Sequence, residues 1–162
     1  MQRGVVEGIF VSATARVEPA PVESVSAVAG RGLQGDRYFA AEGTFSEQTG
    51  TGRDLTLIEA EALEALEREV GIRLAPSVAR RNVLTRGVSL NDLVGRRFSI
   101  GDVECVGRRL CEPCSHLEQL TEDGVLRGLA GRGGLRADVL SGGVISVGAP
   151  LAELAPGRRP PR

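Results

Sequence analysis

The sequence predicts a mainly β or α+β domain, either a sandwich or a barrel. Short apolar runs alternate with turn residues at close spacing, which is typical of hairpin-connected strands. Only one long segment has the apolar spacing of an amphipathic helix. A chain of 162 residues fits one domain and is long enough to bury a core without disulfides.

The first half of the chain predicts three strands around a glycine-rich turn. Arg3–Val11 is rich in β-branched residues, and Val22–Ala29 alternates in polarity. A turn is expected at Gly30–Gly35 and an exposed loop at Ala40–Gly52. A short apolar strand, Asp54–Ile58, then leads into the helix.

The helix is predicted over Glu59–Val70, with Gly71 as its stop. Four apolar residues at spacings of three and four share one face of it: Ala62, Leu63, Leu66 and Val70. The remaining faces are charged, so this helix is expected to lie on the surface with one side against the core.

The second half predicts further strands joined by tight turns. They are Arg81–Thr85, Arg97–Ile100, Val103–Arg108, Leu135–Leu140 and Val144–Val147. Gly101-Asp102 and Ser141-Gly142-Gly143 are each expected to close a hairpin. Short helices are expected at Ser115–Leu120 and Asp123–Ala130.

Residues 1–151 are expected to form the single domain, and the Pro- and Arg-rich residues 152–162 a flexible tail. No apolar run approaches the ~18 residues of a membrane span. The N-terminus has no apolar stretch of the kind found in secretory signals. The sequence therefore predicts a soluble cytoplasmic protein with no membrane partner.

The composition disfavours binding to nucleic acid and excludes covalent catalysis by lysine. The formal net charge is −1 and aromatic residues make up 3% of the chain, which disfavours a nucleic-acid partner. All 20 basic residues are arginine. Without lysine the chain cannot form a Schiff base with a carbonyl substrate or with pyridoxal phosphate.

The strongest local motif, residues 111–116, holds two of the three cysteines and the only histidine. Its sequence is Cys111-Glu112-Pro113-Cys114-Ser115-His116. The two thiols could act as a redox pair. With Cys105 the motif also supplies four potential zinc ligands, although a single C-x-x-C is a weak zinc signature and Cys105 lies in a predicted strand.

Three cationic segments form a second candidate constellation. They are Asp36-Arg37 after the glycine-rich turn, Arg80-Arg81-Asn82 before a strand, and Arg132 to Arg136 around Gly133-Gly134. Guanidinium groups and glycine-exposed backbone amides suit a phosphate. Each segment taken alone could equally be solvated surface, or in the case of Asp36-Arg37 an ion pair. Only their convergence with a thiol would make them a site.

Six motifs occur in a fixed order along the chain: GLQGDRY at 32–38, RRNV at 80–83, LVGRRFSIG at 93–101, CEPC at 111–114, RGGLRADVL at 132–140 and GVISVG at 143–148. Together, in this order, they resemble the MOSC domain family, the C-terminal domain type of molybdenum cofactor sulfurases. The resemblance is collinear from about Gly4 to Leu151. It implies a β-barrel-like fold with one long and a few short peripheral helices.

The resemblance also implies binding of molybdenum cofactor, a pterin that carries a dithiolene and a phosphate. The family's cysteine, which carries sulfur or ligates molybdenum, corresponds to Cys114, and its Arg-x-Asn element to Arg80 and Asn82. The further cofactor contacts expected on this basis are Arg81, Asp36, Arg37, Arg132 and Arg136. His116 is expected to exchange protons near neutrality, and Cys111 to be the second functional thiol.

The activity implied is sulfur transfer on the cofactor or molybdenum-dependent reduction of N-hydroxylated compounds. The first would need a protein that accepts the cofactor, and the second a protein that donates electrons. A thiol-disulfide exchanger that uses Cys111 and Cys114, and a non-catalytic carrier of the cofactor, remain as alternatives. A pyridoxal phosphate label on the family cannot mean a lysine aldimine in this chain.

Overall fold

The computed structural model describes residues 1–14, 18–36, 39, 52–112 and 124–156. The strands in these ranges are β1 (Arg3–Val11), β2 (Ala20–Val22), β3 (Ser24–Val28), β4 (Gly32–Leu33), β5 (Leu55–Glu59), β6 (Val83–Arg86), β7 (Arg97–Ile100), β8 (Val103–Leu110), β9 (Leu135–Ser141), β10 (Gly143–Ser146) and β11 (Pro150–Glu153). The helices are α1 (Ala60–Val70) and α2 (Val125–Gly128), together with a 3-10 helix, Leu90–Leu93. The helix predicted at Ser115–Leu120 lies outside the described residues.

Seven of the described strands close into a mixed β-barrel in the order β11-β7-β8-β9-β5-β6-β1, and pairing of β1 with β11 completes the circle. Strands β5 and β6 are parallel, and the other neighbours are antiparallel. Strand β2 extends β1 at one end. A second, three-stranded sheet has the order β10-β3-β4. The predicted barrel-like, mainly β fold is confirmed.

The barrel is filled by apolar side chains that alternate along its strands. On β5, Leu55 and Leu57 are buried in this interior, so Thr56 and Ile58 lie on the outer face. Cys105 of β8 is fully buried in the same interior, as expected for a small apolar residue, and burial raises the pKa of its thiol to about 12. It is therefore unsuited to be a thiolate ligand of zinc.

Helix α1 covers part of the outer face of β5 and β6. Its apolar residues, including Leu63 and Leu66, share a buried cluster with Ile58 and Leu84 from the strands beneath. Gly71 ends the helix in the left-handed region at φ 77°, where its N–H donates to the carbonyl of Glu67. The predicted helix and its stop are confirmed. No helix within the described ranges is long and apolar enough to cross a bilayer.

The prediction of one continuous strand over Val22–Ala29 is wrong, because two strands lie there. The chain breaks at Glu23, so that β2 pairs with the barrel and β3 with the second sheet. The turn predicted at Gly30–Gly35 contains a short strand, β4, which pairs with β3. Alternation in the sequence cannot show that neighbouring residues join different sheets.

The hairpin predicted at Ser141-Gly142-Gly143 is also wrong. Strand β10 pairs with β3, whereas β9 remains in the barrel. The chain crosses between the sheets beside β3, where a Cβ on Gly142 would lie 2.9 Å from the Ala27 carbonyl oxygen. By contrast, the hairpin predicted at Gly101-Asp102 joins β7 and β8 as expected.

The last strand extends beyond the predicted end of the domain. Ala152 and Glu153 belong to β11, where they pair with β1 and β7. These two residues are therefore part of the barrel, although the sequence predicts them to lie in the tail. Residues 157–162 of that segment lie outside the described residues.

Candidate functional site

Four polar residues form a row across the outer face of the barrel, and we call them the polar row: Asn82, Thr56, Arg136 and Arg109. Thr56 of β5 lies opposite Arg136 of β9, which in turn lies opposite Arg109 of β8. Asn82 precedes β6, and its N–H donates to the Thr56 carbonyl over 3.1 Å. Side chains that lie directly opposite in an antiparallel pair share one face of the sheet.

The side chain of Asn82 fixes one end of the polar row. Its Oδ1 accepts hydrogen bonds from the backbone N–H and the hydroxyl of Thr56 over 3.0 and 3.2 Å. Its Nδ2 donates to the Phe10 carbonyl over 3.1 Å and to Asp36 Oδ1 over 3.4 Å. The two donors and two acceptor positions of this amide are all engaged. Asn82 therefore brings Asp36 to the row and holds it there.

Arg81 connects the same segment to the cysteine motif. Its guanidinium is largely buried and donates to the carbonyls of Gly133, Ala79 and Cys111 over 3.0 to 3.3 Å. The Cys111 N–H donates to the Gly134 carbonyl over 2.8 Å. The start of the C-x-x-C motif is therefore tied to both the Arg80–Asn82 segment and the glycine-rich turn.

Arg80, the first residue of that segment, has a backbone conformation that is unusual for arginine. Its φ is 61°, and it is the one residue other than glycine with positive φ among the described residues. Such a conformation costs about 1–3 kcal/mol and persists only where the surroundings impose it. It turns the chain sharply between the loop before it and the start of β6.

Cys111 itself is only 3% exposed and is not in a disulfide. Reactive cysteines are at least partly accessible, so this burial disfavours Cys111 as an attacking thiol. Cys114, His116 and Arg37 lie outside the described residues. The structure thus describes the chain up to one residue before Arg37 and two before Cys114.

A third chain segment reaches the polar row at Gly52. Its N–H donates to Asp138 Oδ1 over 3.0 Å, and Asp138 Oδ2 accepts from Arg108 Nε over 2.8 Å. Gly52 has φ 79°, and a Cβ on it would lie 2.9 and 3.0 Å from the Cβ atoms of Arg108 and Arg136. Only glycine can lie this close to the two arginines in this conformation.

Asp54 is a partly buried carboxylate near the same place. Its pKa is raised to about 6, mainly by burial. The hydrogen bond from the Val139 N–H lowers the pKa, the Asp138 charge raises it, and the charge of Arg108 lowers it. Asp54 therefore titrates closer to neutrality than an ordinary aspartate. Sequence reasoning missed this group, although a lone acid at the start of an apolar strand is a usable signal.

Arg132 has other partners. Its Nε donates to the Gly128 carbonyl over 2.8 Å, and it forms an ion pair with Glu69 of α1 over 2.6 Å. This bond lowers the pKa of the Glu69 carboxyl. Among the predicted cofactor contacts, the structure brings Asp36, Arg81, Asn82 and Arg136 together around the row and links Arg132 to helix α1 instead.

Sequence reasoning missed Thr56, Gly52 and Asp138. Their proximity depends on strand register, which residue types alone do not reveal. Within the described part of the chain, no three His, Cys, Asp or Glu residues are grouped so as to hold a metal ion. Two surface grooves, of about 210 and 300 Å³, border β1 and contain no residue of the polar row.

This fold and the matched sequence pattern identify the class of protein. The pattern of the MOSC domain matches residues 45–152, about two thirds of the chain, and the chain belongs to the MOSC domain family. The family as a whole is associated with molybdenum cofactor. No curated protein sequence matches the chain.

Solved structures share the fold. The YuaD protein from Bacillus subtilis is similar with a TM-score of 0.77 and 19% identity, covering 92% of this chain and 94% of its own. YiiM from Escherichia coli has a TM-score of 0.70 and 19% identity over 97% and 72%. YiiM from Geobacillus stearothermophilus has a TM-score of 0.64 and 20% identity over 94% and 73%. At such identities the likeness concerns the fold alone.

Proposed function

We propose that this protein binds molybdenum cofactor at the polar row, with Cys114 as the metal's thiolate ligand or as a persulfide carrier. One observation carries the proposal: segments far apart in sequence are anchored together on this face. Asn82 holds Asp36, and Arg81 holds the Cys111 carbonyl. The chain is therefore held beside Arg80–Asn82 at Asp36, one residue before Arg37, and at Cys111, three residues before Cys114.

The residues at this face suit the two chemically different ends of such a cofactor. A thiolate is a soft donor, appropriate to a metal already held by sulfur, and hard carboxylate ligands are not required. The phosphate needs guanidinium groups and accessible backbone N–H groups. Arg136 supplies a guanidinium in the row, and the backbone of Gly52 packs closely against it.

The residues of the chain have separate roles in this proposal. Arg80 and Arg37 contribute positive charge, and Asn82 positions Asp36 and Thr56, because its own amide is already fully hydrogen-bonded. Arg81 positions the cysteine motif through the Cys111 carbonyl. His116, two residues beyond Cys114, exchanges protons with bound substrate near neutral pH.

When bound, the cofactor supplies a redox-active metal held by a dithiolene. The activity we propose is sulfur transfer on the cofactor or reduction of N-hydroxylated compounds. Reduction requires a protein that donates electrons, and sulfur transfer requires a protein that accepts the cofactor. In both cases the contribution of this chain is to hold the phosphate end with arginine and to present one thiolate to the metal.

The test is the metal and pterin content of protein purified from a molybdenum-replete host. Wild-type protein is expected to retain molybdenum and pterin in equal amounts, and Cys114→Ser to lose most of the molybdenum. Cys111→Ser is the matched control, because it removes a thiol that is buried and held through its backbone. Absence of molybdenum from the wild type, or equal retention in Cys114→Ser, would overturn the proposal.

A further inference from the structure

Glu112, between the two cysteines of the C-x-x-C motif, makes a hydrogen bond that the proposed function does not use. Its side chain is exposed, and its Oε2 accepts a hydrogen bond from the Gly131 N–H over 3.1 Å. The partner lies 19 residues further along the chain, so this contact is tertiary and is not part of a local turn. A carboxylate that accepts from a backbone N–H forms a charge-assisted bond, which is stronger than a neutral one.

The 131–134 loop, which contains Gly131, is fixed to the rest of the protein at two points. At Gly134 its backbone lies against β5, where an added Cβ would come 2.1 Å from the Leu57 carbonyl oxygen. At Arg132 the guanidinium forms an ion pair with Glu69 of helix α1 over 2.6 Å. The loop is therefore a fixed support to which another segment can be attached.

Two direct hydrogen bonds in the described part of the chain attach the cysteine motif to this loop. The backbone N–H of Cys111 donates to the Gly134 carbonyl over 2.8 Å, and the side chain of Glu112 accepts from Gly131. The two contacts lie at opposite ends of the loop. Attachment at two separate points restrains the direction of the motif as well as its position, because a single point would allow the chain to pivot.

The residue that follows Glu112 limits the other ways of directing the chain. Residue 113 is a proline, which has no backbone N–H to donate. A residue before proline is restricted to extended backbone conformations, so the backbone of Glu112 has few alternatives. Of the described residues, Glu112 is the last before Cys114. A contact that fixes Glu112 therefore acts two residues away from that thiol.

We propose that Glu112 is a positioning residue: by accepting from Gly131 it sets the direction in which the chain continues to Cys114, and so the placement of that thiol. The inference rests on the proposed function, in which Cys114 is the functional thiol. It requires an acceptor oxygen at the end of a side chain of this length, and it does not require the negative charge of the carboxylate.

Three substitutions of Glu112 separate reach from charge. Glu112→Gln keeps an acceptor oxygen at the same distance and removes the charge, whereas Glu112→Asp keeps the charge and is one methylene too short. Glu112→Ala removes both. If Glu112 positions the motif, Glu112→Gln should resemble the wild type and Glu112→Asp should resemble Glu112→Ala. A purely electrostatic role would give the reverse order for Glu112→Gln and Glu112→Asp.

The measurement is the rate at which iodoacetamide alkylates Cys114 at pH 7. It uses the full chain purified from a host that makes no pterin cofactor, and mass spectrometry assigns the modified cysteine. A thiol held beside guanidinium groups has more thiolate character and reacts faster than a displaced one. Loss of one charge-assisted hydrogen bond should slow alkylation about threefold or more in Glu112→Asp and Glu112→Ala, and Glu112→Gln should stay within about twofold of the wild type.

Glu61→Ala is the matched control, because Glu61 also accepts from the N–H of a glycine with positive φ. That glycine is Gly87, at 2.9 Å, and the bond joins helix α1 to the residue after β6. Its loss should change the alkylation rate less than about twofold. Equal rates in the wild type, Glu112→Asp and Glu112→Ala would overturn the inference. So would equal slowing in Glu112→Gln and Glu112→Ala, or in Glu61→Ala. If Glu112→Ala fails to fold, the comparison of Glu112→Asp with Glu112→Gln still decides.

The molybdenum content of the same variants, produced in a molybdenum-replete host, distinguishes this inference from the proposed function. If alkylation follows the acceptor at position 112 but the wild type holds no molybdenum, the proposed function is overturned and the positioning of Cys114 stands. If the wild type and all three variants retain molybdenum equally and are alkylated at equal rates, the positioning role is overturned and the proposed function stands.

Discussion

Strand β5 has two outward-facing residues only two positions apart, Thr56 and Ile58, and they lie in opposite environments. Ile58 is buried in the apolar cluster beneath helix α1. Thr56 belongs to the polar row and is hydrogen-bonded to Asn82. One face of one strand therefore changes from apolar core to polar surface within a single repeat of its pleat.

This contrast shows how a barrel can support both a helix and a site on its outer face. Helix α1 removes one half of the face from water, and the stability gained there comes from burial of apolar surface. The other half is polar, and three chain segments are hydrogen-bonded beside it, at Asp36, Gly52 and Cys111. Substitutions in the apolar half should therefore mainly lower stability, whereas substitutions in the polar half should also weaken binding.

The largest expected effect is on the apolar half. Leu66→Ala removes a fully buried side chain between α1 and the barrel, and should lower the free energy of unfolding by about 2–5 kcal/mol. Urea unfolding followed by circular dichroism measures this loss. Val70→Ala is the control, because Val70 is on the same helix and is 45% exposed. Equal losses in the two variants would contradict the contribution assigned to this cluster.

A substitution in the polar half is expected to lower stability less than Leu66→Ala does, and to weaken cofactor binding more. Asn82→Ala leaves the Thr56 N–H and the Phe10 carbonyl without their partner and should cost about 1–3 kcal/mol. Retention of molybdenum cofactor should fall with it, because Asp36 is no longer held at the row. The matched variant is Asn91→Ala, which removes one exposed hydrogen bond, to the Gly131 carbonyl. If it matched Asn82→Ala in both measurements, the role given to Asn82 would be wrong.

The smallest predicted change in the free energy of unfolding follows from substitution of Asp54, and it is a gain in stability and not a loss. Its pKa is raised from 3.8 to about 6 in the folded protein, so the folded state holds this proton more tightly than the unfolded state. The resulting stability is present below pH about 4 and is lost as the pH rises through about 6. Such a difference in pKa is worth about 3 kcal/mol at full burial, and partial exposure reduces it to about 1–2 kcal/mol.

Asp54→Asn should therefore be more stable than the wild type at pH 7 and gain little or nothing at pH 4, because an asparagine oxygen still accepts the Val139 N–H. Urea unfolding at the two pH values measures this difference. Asp102→Asn removes the same charge from the exposed turn between β7 and β8. If both variants showed the same pH dependence, the burial of Asp54 would not be its cause.

The elements that could be predicted from the sequence are those governed by local pattern. Strand Arg3–Val11, the helix that ends before Gly71, and the strands on either side of Gly101-Asp102 follow from periodicity and turn chemistry. Strand β10 could not be predicted in its correct sheet, because its partner β3 lies more than a hundred residues earlier. Local patterns carry no information about such pairings.

The candidate site divides in the same way. Arg80, Asn82, Asp36 and the cysteine motif could be selected by residue type and by their order along the chain. Thr56 and the position of Arg109 beside Arg136 could not, because a charged or polar residue on the outer face of a strand is ordinary until its neighbours are known. What placed them beside Arg136 is the register of three adjacent strands.

The sequence by itself determined most of the barrel-forming strands, the one long helix, the absence of lysine chemistry and the membership of the MOSC domain family. Only the tertiary structure decided that Arg81 donates a hydrogen bond to the Cys111 carbonyl, and that Arg132 forms an ion pair with Glu69 of helix α1. The physical reason is that composition and periodicity describe only residues that are neighbours along the chain. Charge compensation and hydrogen bonding act between neighbours in space.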